Sequence, residues 1–170
     1  MDAGMITARL IHVLAGVFWV GAMLFVAAFL VPAIRETGPD GGKVMAAVGK
    51  RGFMQLMPVI AILTILSGVY LYWRVSGGFD YNYLKSGPGH AYAMGGILSI
   101  IAFILGITVT RPAMMRSMEL AQSAAAAPPD ERDIIMAKAQ ALRGRGSKVG
   151  NVIAVLLVLS AVGMAIGRYL

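Results

Sequence analysis

His12 and His90 are the only histidines in the chain, and each falls in or at the start of a strongly apolar segment. An imidazole placed in hydrocarbon without a partner costs several kcal/mol, so such a residue marks a functional site by default. Measured to the basic residue at the far end of each segment, about 35 Å of helix rise separates His12 from Arg35, and about 32 Å separates His90 from Arg111. The two imidazoles therefore stand at nearly one depth, where a flat cofactor fits between them. Haem iron accepts axial imidazole nitrogens, and helical bundles build such sites from side chains on facing helices. The spacing predicts a bis-histidine haem b with His12 and His90 as the iron ligands. The bland alternative is that His12 hydrogen-bonds to a neighbouring helix while His90 sits in the wet interface.

The neighbours of these residues suit the same cofactor. Arg9 lies one turn before His12 and is placed to pair with a propionate, with Arg74, Lys85 and Arg168 at the same level. Gly16, one turn after His12, lets a macrocycle approach the backbone, and Trp19 continues that face. Met94, one turn beyond His90, is within reach of the same group. Ser67, Gly68, Gly163 and Gly167 supply further small residues, of which the Gly163 and Gly167 pair is first of all a helix-packing pattern. The chain has no cysteine, which excludes disulfides, iron–sulfur clusters and covalent c-type haem.

Positioning these residues requires membrane helices. The 170 residues are 58% hydrophobic and 14% charged, with a mean hydropathy of +0.76, too apolar for a soluble domain of this length. Four runs, 6–34, 53–73, 90–110 and 149–169, reach the ~20 apolar residues that a hydrocarbon core about 30 Å thick requires. The first is too long for a signal-peptide core and has no basic stretch before it, so it is read as a retained span. The expected fold is all-α and integral to the membrane: one domain over 1–170, an antiparallel bundle of four transmembrane helices. Pro112 is expected to kink the third span's extension, and residues 131–142 to form a short amphipathic cytoplasmic helix at the headgroups. Residues 36–42, rich in Gly and Pro, should turn the chain after the first span.

Of the fifteen Lys and Arg residues, all but Arg9, Arg74, Lys85 and Arg168 fall on one side of these spans. The positive-inside rule makes that side cytoplasmic and puts both termini outside, in what would be a bacterial inner membrane. The net charge of +7 then records topology and contact with the lipid bilayer, with no nucleic acid partner. Aromatic residues near the outer boundary, among them Tyr70, Tyr72, Trp73 and Tyr169, form an interfacial belt. The twelve methionines, whose thioethers suit Cu(I), look scattered and read as flexible core filling. There is no phosphate-binding loop, nucleophile elbow or paired intramembrane carboxylate.

The first span carries a more specific signal: His12, Gly16, Trp19 and Gly21, then Leu24-Phe25 and Pro32. This pattern resembles the opening helix of the membrane superfamily of copper-resistance protein D and the HemJ-type protoporphyrinogen oxidases. The resemblance implies a compact helical bundle and a b-type haem on the first-helix histidine, His12. HemJ-type enzymes also carry a lysine near the start of the third helix; here Lys85 precedes that span and His90 begins it.

With both axial positions taken, electron transfer with a quinone or an external redox protein is the expected function. A HemJ-like porphyrin oxidase and a haem-free copper-handling or structural membrane protein are the alternatives. The small-residue face of the fourth span makes a homodimer reasonable.

Overall fold

Apolar runs of this length stay helical because hydrocarbon offers no partner to a backbone N–H or C=O outside the segment. The computed structural model, which describes residues 2–37 and 41–170, contains no strand among the described residues. Its helices are α1 (Ala3–Glu36), α2 (Gly41–Lys50), α3 (Phe53–Val75), α4 (Tyr81–Leu84), α5 (Gly87–Ala126) and α6 (Pro129–Tyr169). Four of them, α1, α3, α5 and α6, are long and apolar enough to cross a membrane. Their outward faces are apolar too: Leu14 is 69% exposed, Val17 68% and Leu66 62%. Water would not tolerate such a surface at this density, and lipid would. The turn expected over 36–42 falls partly on residues 38–40, outside the described residues.

Local chemistry sets the helix starts. Asp2 caps α1, its carboxylate accepting from the Met5 amide at 2.8 Å. Ser86 caps α5 by accepting from the Gly89 amide at 3.1 Å, with Pro88 in the first turn. Gly89 has no room for a side chain, since a Cβ there would run into the Tyr83 carbonyl.

Two prolines lie within α1 and α5, where each removes an N–H and crowds the carbonyl four residues back. Both helices absorb the proline alike. A wide π-turn, Val26–Leu30 in α1 and Gly106–Thr110 in α5, ends two residues before Pro32 or Pro112, and the helix continues. Residues 131–142 depart from expectation. They are no separate amphipathic helix but the opening of one helix unbroken over Pro129–Ile166. Nothing after Pro129 breaks it, because Gly144, Gly146 and Gly150 cost only about 1 kcal/mol each. This stretch also packs, with Gly146 facing Ala113 and Met114, where a Cβ would lie 3.5 Å from each.

Contacts pair α1 with α3 and α5 with α6. Along the first pair Gly4 meets Tyr70 and Gly16 meets Thr64; along the second Gly167 meets Tyr92, Gly95 meets Met164 and Gly106 meets Ile153. In both pairs the residue numbers run in opposite senses. Ser160 donates to the Gly95 carbonyl at 2.8 Å and lies 2.9 Å from the Ser99 hydroxyl, tying α6 to α5. All four long helices converge on one buried cluster of Trp19, Ala61, Ala102, Ile153 and Leu157. Beyond it lies the end rich in Lys and Arg, hereafter the basic end; before it lies the terminal end, where residues 2 and 170 sit.

A candidate cofactor cavity at the terminal end

Between the four long helices at the terminal end lies a cavity of about 720 Å³. That is within the ordinary range for small-molecule and cofactor sites. α1 contributes Met5, Arg9, His12 and Val13; α3 contributes Thr64, Ile65, Gly68 and Val69, with Leu71, Tyr72 and Val75 above them. α5 contributes Tyr92, Ala93, Gly96, Ile97, Ser99 and Ile100, the three-and-four spacing of one helix face, and α6 adds Met164, Ala165 and Arg168. Two guanidinium groups and no carboxylate stand in this lining, so the cavity complements an anionic, otherwise apolar molecule.

His12 is half-buried, and its Nδ1 stands 2.8 Å from the Thr64 carbonyl oxygen. A carbonyl oxygen only accepts, so Nδ1 carries the proton and donates. In the neutral ring the lone pair is then on Nε2. No described residue hydrogen-bonds Nε2. A histidine that ligates a metal characteristically gives its other N–H to a carbonyl or carboxylate, which holds the ring and fixes the tautomer. Gly68 seats the imidazole from below: a Cβ there would stand 2.7 Å from the ring's Cε1 and 3.0 Å from Nδ1. Gly16 packs on the same turn of α3, with Thr64 Cγ2 3.6 Å from where its Cβ would be.

His90 is placed differently. It is exposed, its Nδ1 lies 3.0 Å from the Ser86 carbonyl of its own first turn, and it is not among the residues lining the cavity. It does share a helix face with Ile97, seven residues on, which is in the lining. Of the basic residues at this level, Arg9 and Arg168 face the cavity while Arg74 does not. Arg74 is committed to Asp2 and to the Tyr70 hydroxyl, the latter at 2.8 Å. The hydrogen bonds from Arg74 and from the Met5 amide hold the Asp2 carboxyl below the usual carboxylate range. Lys85 lies over the Tyr81 ring. Met94 is 54% exposed and outside the lining. Trp19 is buried in the four-helix cluster and faces a second cavity toward the basic end. The structure thus joins His12 with Arg9, packs Gly16 against Thr64 of α3, and leaves Gly16, His90, Arg74, Trp19 and Met94 outside the lining.

Thr64 escaped the sequence, because it acts through its backbone carbonyl, which no side-chain pattern announces. Arg168 was legible by level, but only the way its helix is turned separates it from Arg74. The methionines are also less scattered than they read. Met23, Met45, Met54, Met57 and Met114 all line the second cavity, brought from four helices. Gly163 and Gly167 are used within the chain, facing Ala91 and Tyr92 of α5.

The described residues contain no group of three or more His, Cys, Asp or Glu side chains able to hold a metal ion. A porphyrin supplies four nitrogens of its own and asks the chain for one or two. Comparison with protein-family models, with curated proteins and with solved structures found no match.

Proposed function

We propose that the chain is a b-type cytochrome of the membrane that holds one haem in the terminal-end cavity through His12, for electron transfer. Its partner is a quinone in the bilayer or a redox protein outside it. The observation that carries this reading is the hydrogen bond from His12 Nδ1 to the Thr64 carbonyl, which leaves the Nε2 lone pair available in a cavity of cofactor size. Bound haem supplies a one-electron couple at its iron. The chain's share is to orient the imidazole on Thr64 and Gly68, to meet two propionates with Arg9 and Arg168, and to exclude water with aliphatic walls. The opposed pairings of α1 with α3 and α5 with α6 support an antiparallel four-helix bundle. Concentration of eleven Lys and Arg at one end supports a cytoplasmic basic end, both termini outside, in a bacterial inner membrane.

His90 would serve as a second ligand only if its exposed ring turned down the face of α5 into the cavity, since its Nδ1 bond to the Ser86 carbonyl leaves Nε2 free as that of His12 does. The test is the visible spectrum of the detergent-purified protein, oxidised and dithionite-reduced, beside His12→Ala and His90→Ala. The expected result is low-spin or high-spin b-type bands that vanish in His12→Ala. Bands that change spin state in His90→Ala assign bis-histidine ligation. Bands unchanged there leave one axial position open, which favours a haem-dependent oxidoreductase, including a HemJ-like porphyrin oxidase, over a simple electron carrier. No haem absorbance after expression in haem-replete cells overturns the proposal.

A haem-free copper-handling protein has one observation on its side, the five methionines around the second cavity. Stoichiometric Cu(I) binding by a colourless preparation, lost in Met54→Leu and Met57→Leu, would favour it.

A further inference from the structure

The second cavity, toward the basic end, measures about 110 Å³ and is almost wholly apolar, walled by Trp19, Phe53, Phe103 and the methionines. An engineered cavity of about 150 Å³ in another protein takes up benzene, so this space is of the size of a single six-membered ring. Two of its lining residues break the apolar pattern. Thr110 Oγ1 and Arg111 Nε are both buried, and neither has a hydrogen-bond partner. A buried polar group left unpartnered is costly and calls for a specific explanation.

The π-turn is that explanation for Thr110. Helical threonines ordinarily bond back to the carbonyl four residues earlier, as Thr64 does to Ile60 at 2.9 Å and Thr108 to Ile104 at 2.7 Å. Thr110 ends the π-turn, where the Gly106 carbonyl instead accepts the Arg111 amide, and its hydroxyl is left unpaired. Two unpartnered donors on adjacent residues therefore stand in the lining of a ring-sized apolar chamber that contains no carboxylate. What they lack is an acceptor. Arg111 as a whole is half-buried, and the part of it left buried without a partner is the Nε–H, which needs an acceptor oxygen.

We propose that this chamber binds the ring of a membrane quinone, with one ring carbonyl accepting from Thr110 Oγ1–H and Arg111 Nε–H and the tail leaving between the helices into lipid. Aromatic and thioether walls suit a flat polarisable ring. The chamber lies next to the terminal-end cavity: Thr64 lines the upper and Ala61 the lower, and Ser99 and Ala102 repeat this on α5. Three residues of helix are about 4.5 Å of rise. Quinone binding stands on this chamber alone; its service as the haem's electron partner rests on the function proposed above.

Trp19 lines the chamber at 4% exposure and reports on it directly. In the chain carrying Trp73→Phe, titration with decyl-ubiquinone is expected to quench Trp19 saturably. Thr110→Val and Arg111→Gln should each raise Kd about tenfold, Thr110→Ser should restore it, and Thr108→Val should leave it unchanged. Should Arg111→Gln not fold, the Thr110 series decides. Oleate should not displace the quinone. The same titration in His12→Ala separates the two proposals, because loss of haem there leaves the quinone Kd as it was. Linear, unsaturable quenching, a Kd indifferent to Thr110, or displacement by equimolar oleate would overturn the assignment, the last in favour of an anionic lipid site.

Discussion

The functional choice turns on how one imidazole is held. His12 is kept as its Nδ1–H tautomer by a main-chain carbonyl that cannot rotate away, while Gly68 closes the space beneath it. Gly68→Ala is therefore expected to push the ring off its seat, lowering haem occupancy at least about tenfold, read from the Soret absorbance per protein. The same change at Gly96, where a Cβ meets nothing within 4 Å, should leave occupancy near that of the parent. Asp2 gives a pH-dependent prediction. Its carboxyl is lowered in the folded chain, so its contribution is fully present above the ordinary aspartate range, about 3.9. It is lost as the pH falls through that range and on through the lowered value. Protection of the Met5 and Ile6 amides, taken relative to their intrinsic exchange at each pH, should fall over this window, and Asp2→Asn should abolish that fall.

Between helices, the tie of α6 to α5 is made by small polar groups. Ser160 gives its proton to the Gly95 carbonyl, so the Ser99 hydroxyl must donate to Ser160. Ser160→Ala removes both bonds, and a loss of about 1 kcal/mol is expected in a detergent unfolding titration, with no change in cofactor binding. The π-turns make a second prediction. Pro112→Ala restores an N–H and removes the clash that holds Gly106–Thr110 wide, so the turn can close and Thr110 can bond back to Gly106. Quinone affinity should then fall several-fold while the haem spectrum stays as it was. That the helix continues past Pro112 was readable from the helix formers after it. The continuous α6 was not, because an amphipathic segment at the headgroups and the start of a long packed helix have the same periodicity.

For the molecule as a whole, the charge asymmetry predicts orientation. If the basic end is cytoplasmic, a C-terminal alkaline phosphatase fusion should be active and a C-terminal green fluorescent protein fusion dark. The reverse pattern would turn the molecule over and put the proposed haem cavity on the cytoplasmic side. Both proposed sites lie among the four long helices, the second walled by Trp19, Ala61, Ala102 and Ile153 of the buried cluster and the first toward the terminal end from it. Substitution in that cluster is thus expected to disturb both, whereas those at Thr110 or Gly68 should disturb one.

The residue string by itself determined the four apolar helices and singled out His12 and His90 alike, because span length and hydropathy are local sums and an imidazole in or beside an apolar span is conspicuous by type. Tertiary structure alone decided the rest. It gave His12 a carbonyl for a partner, turned Arg9 and Arg168 inward while Arg74 closed on Asp2, and left His90 at its own helix start. It also gathered five methionines around one chamber and left Thr110 and Arg111 each with an unpaired donor there. The reason is physical: hydrophobic periodicity is weak where lipid and core are both apolar. How each helix rotates about its axis is therefore set by small-residue contacts and single hydrogen bonds between distant segments, and those have no signature along the chain.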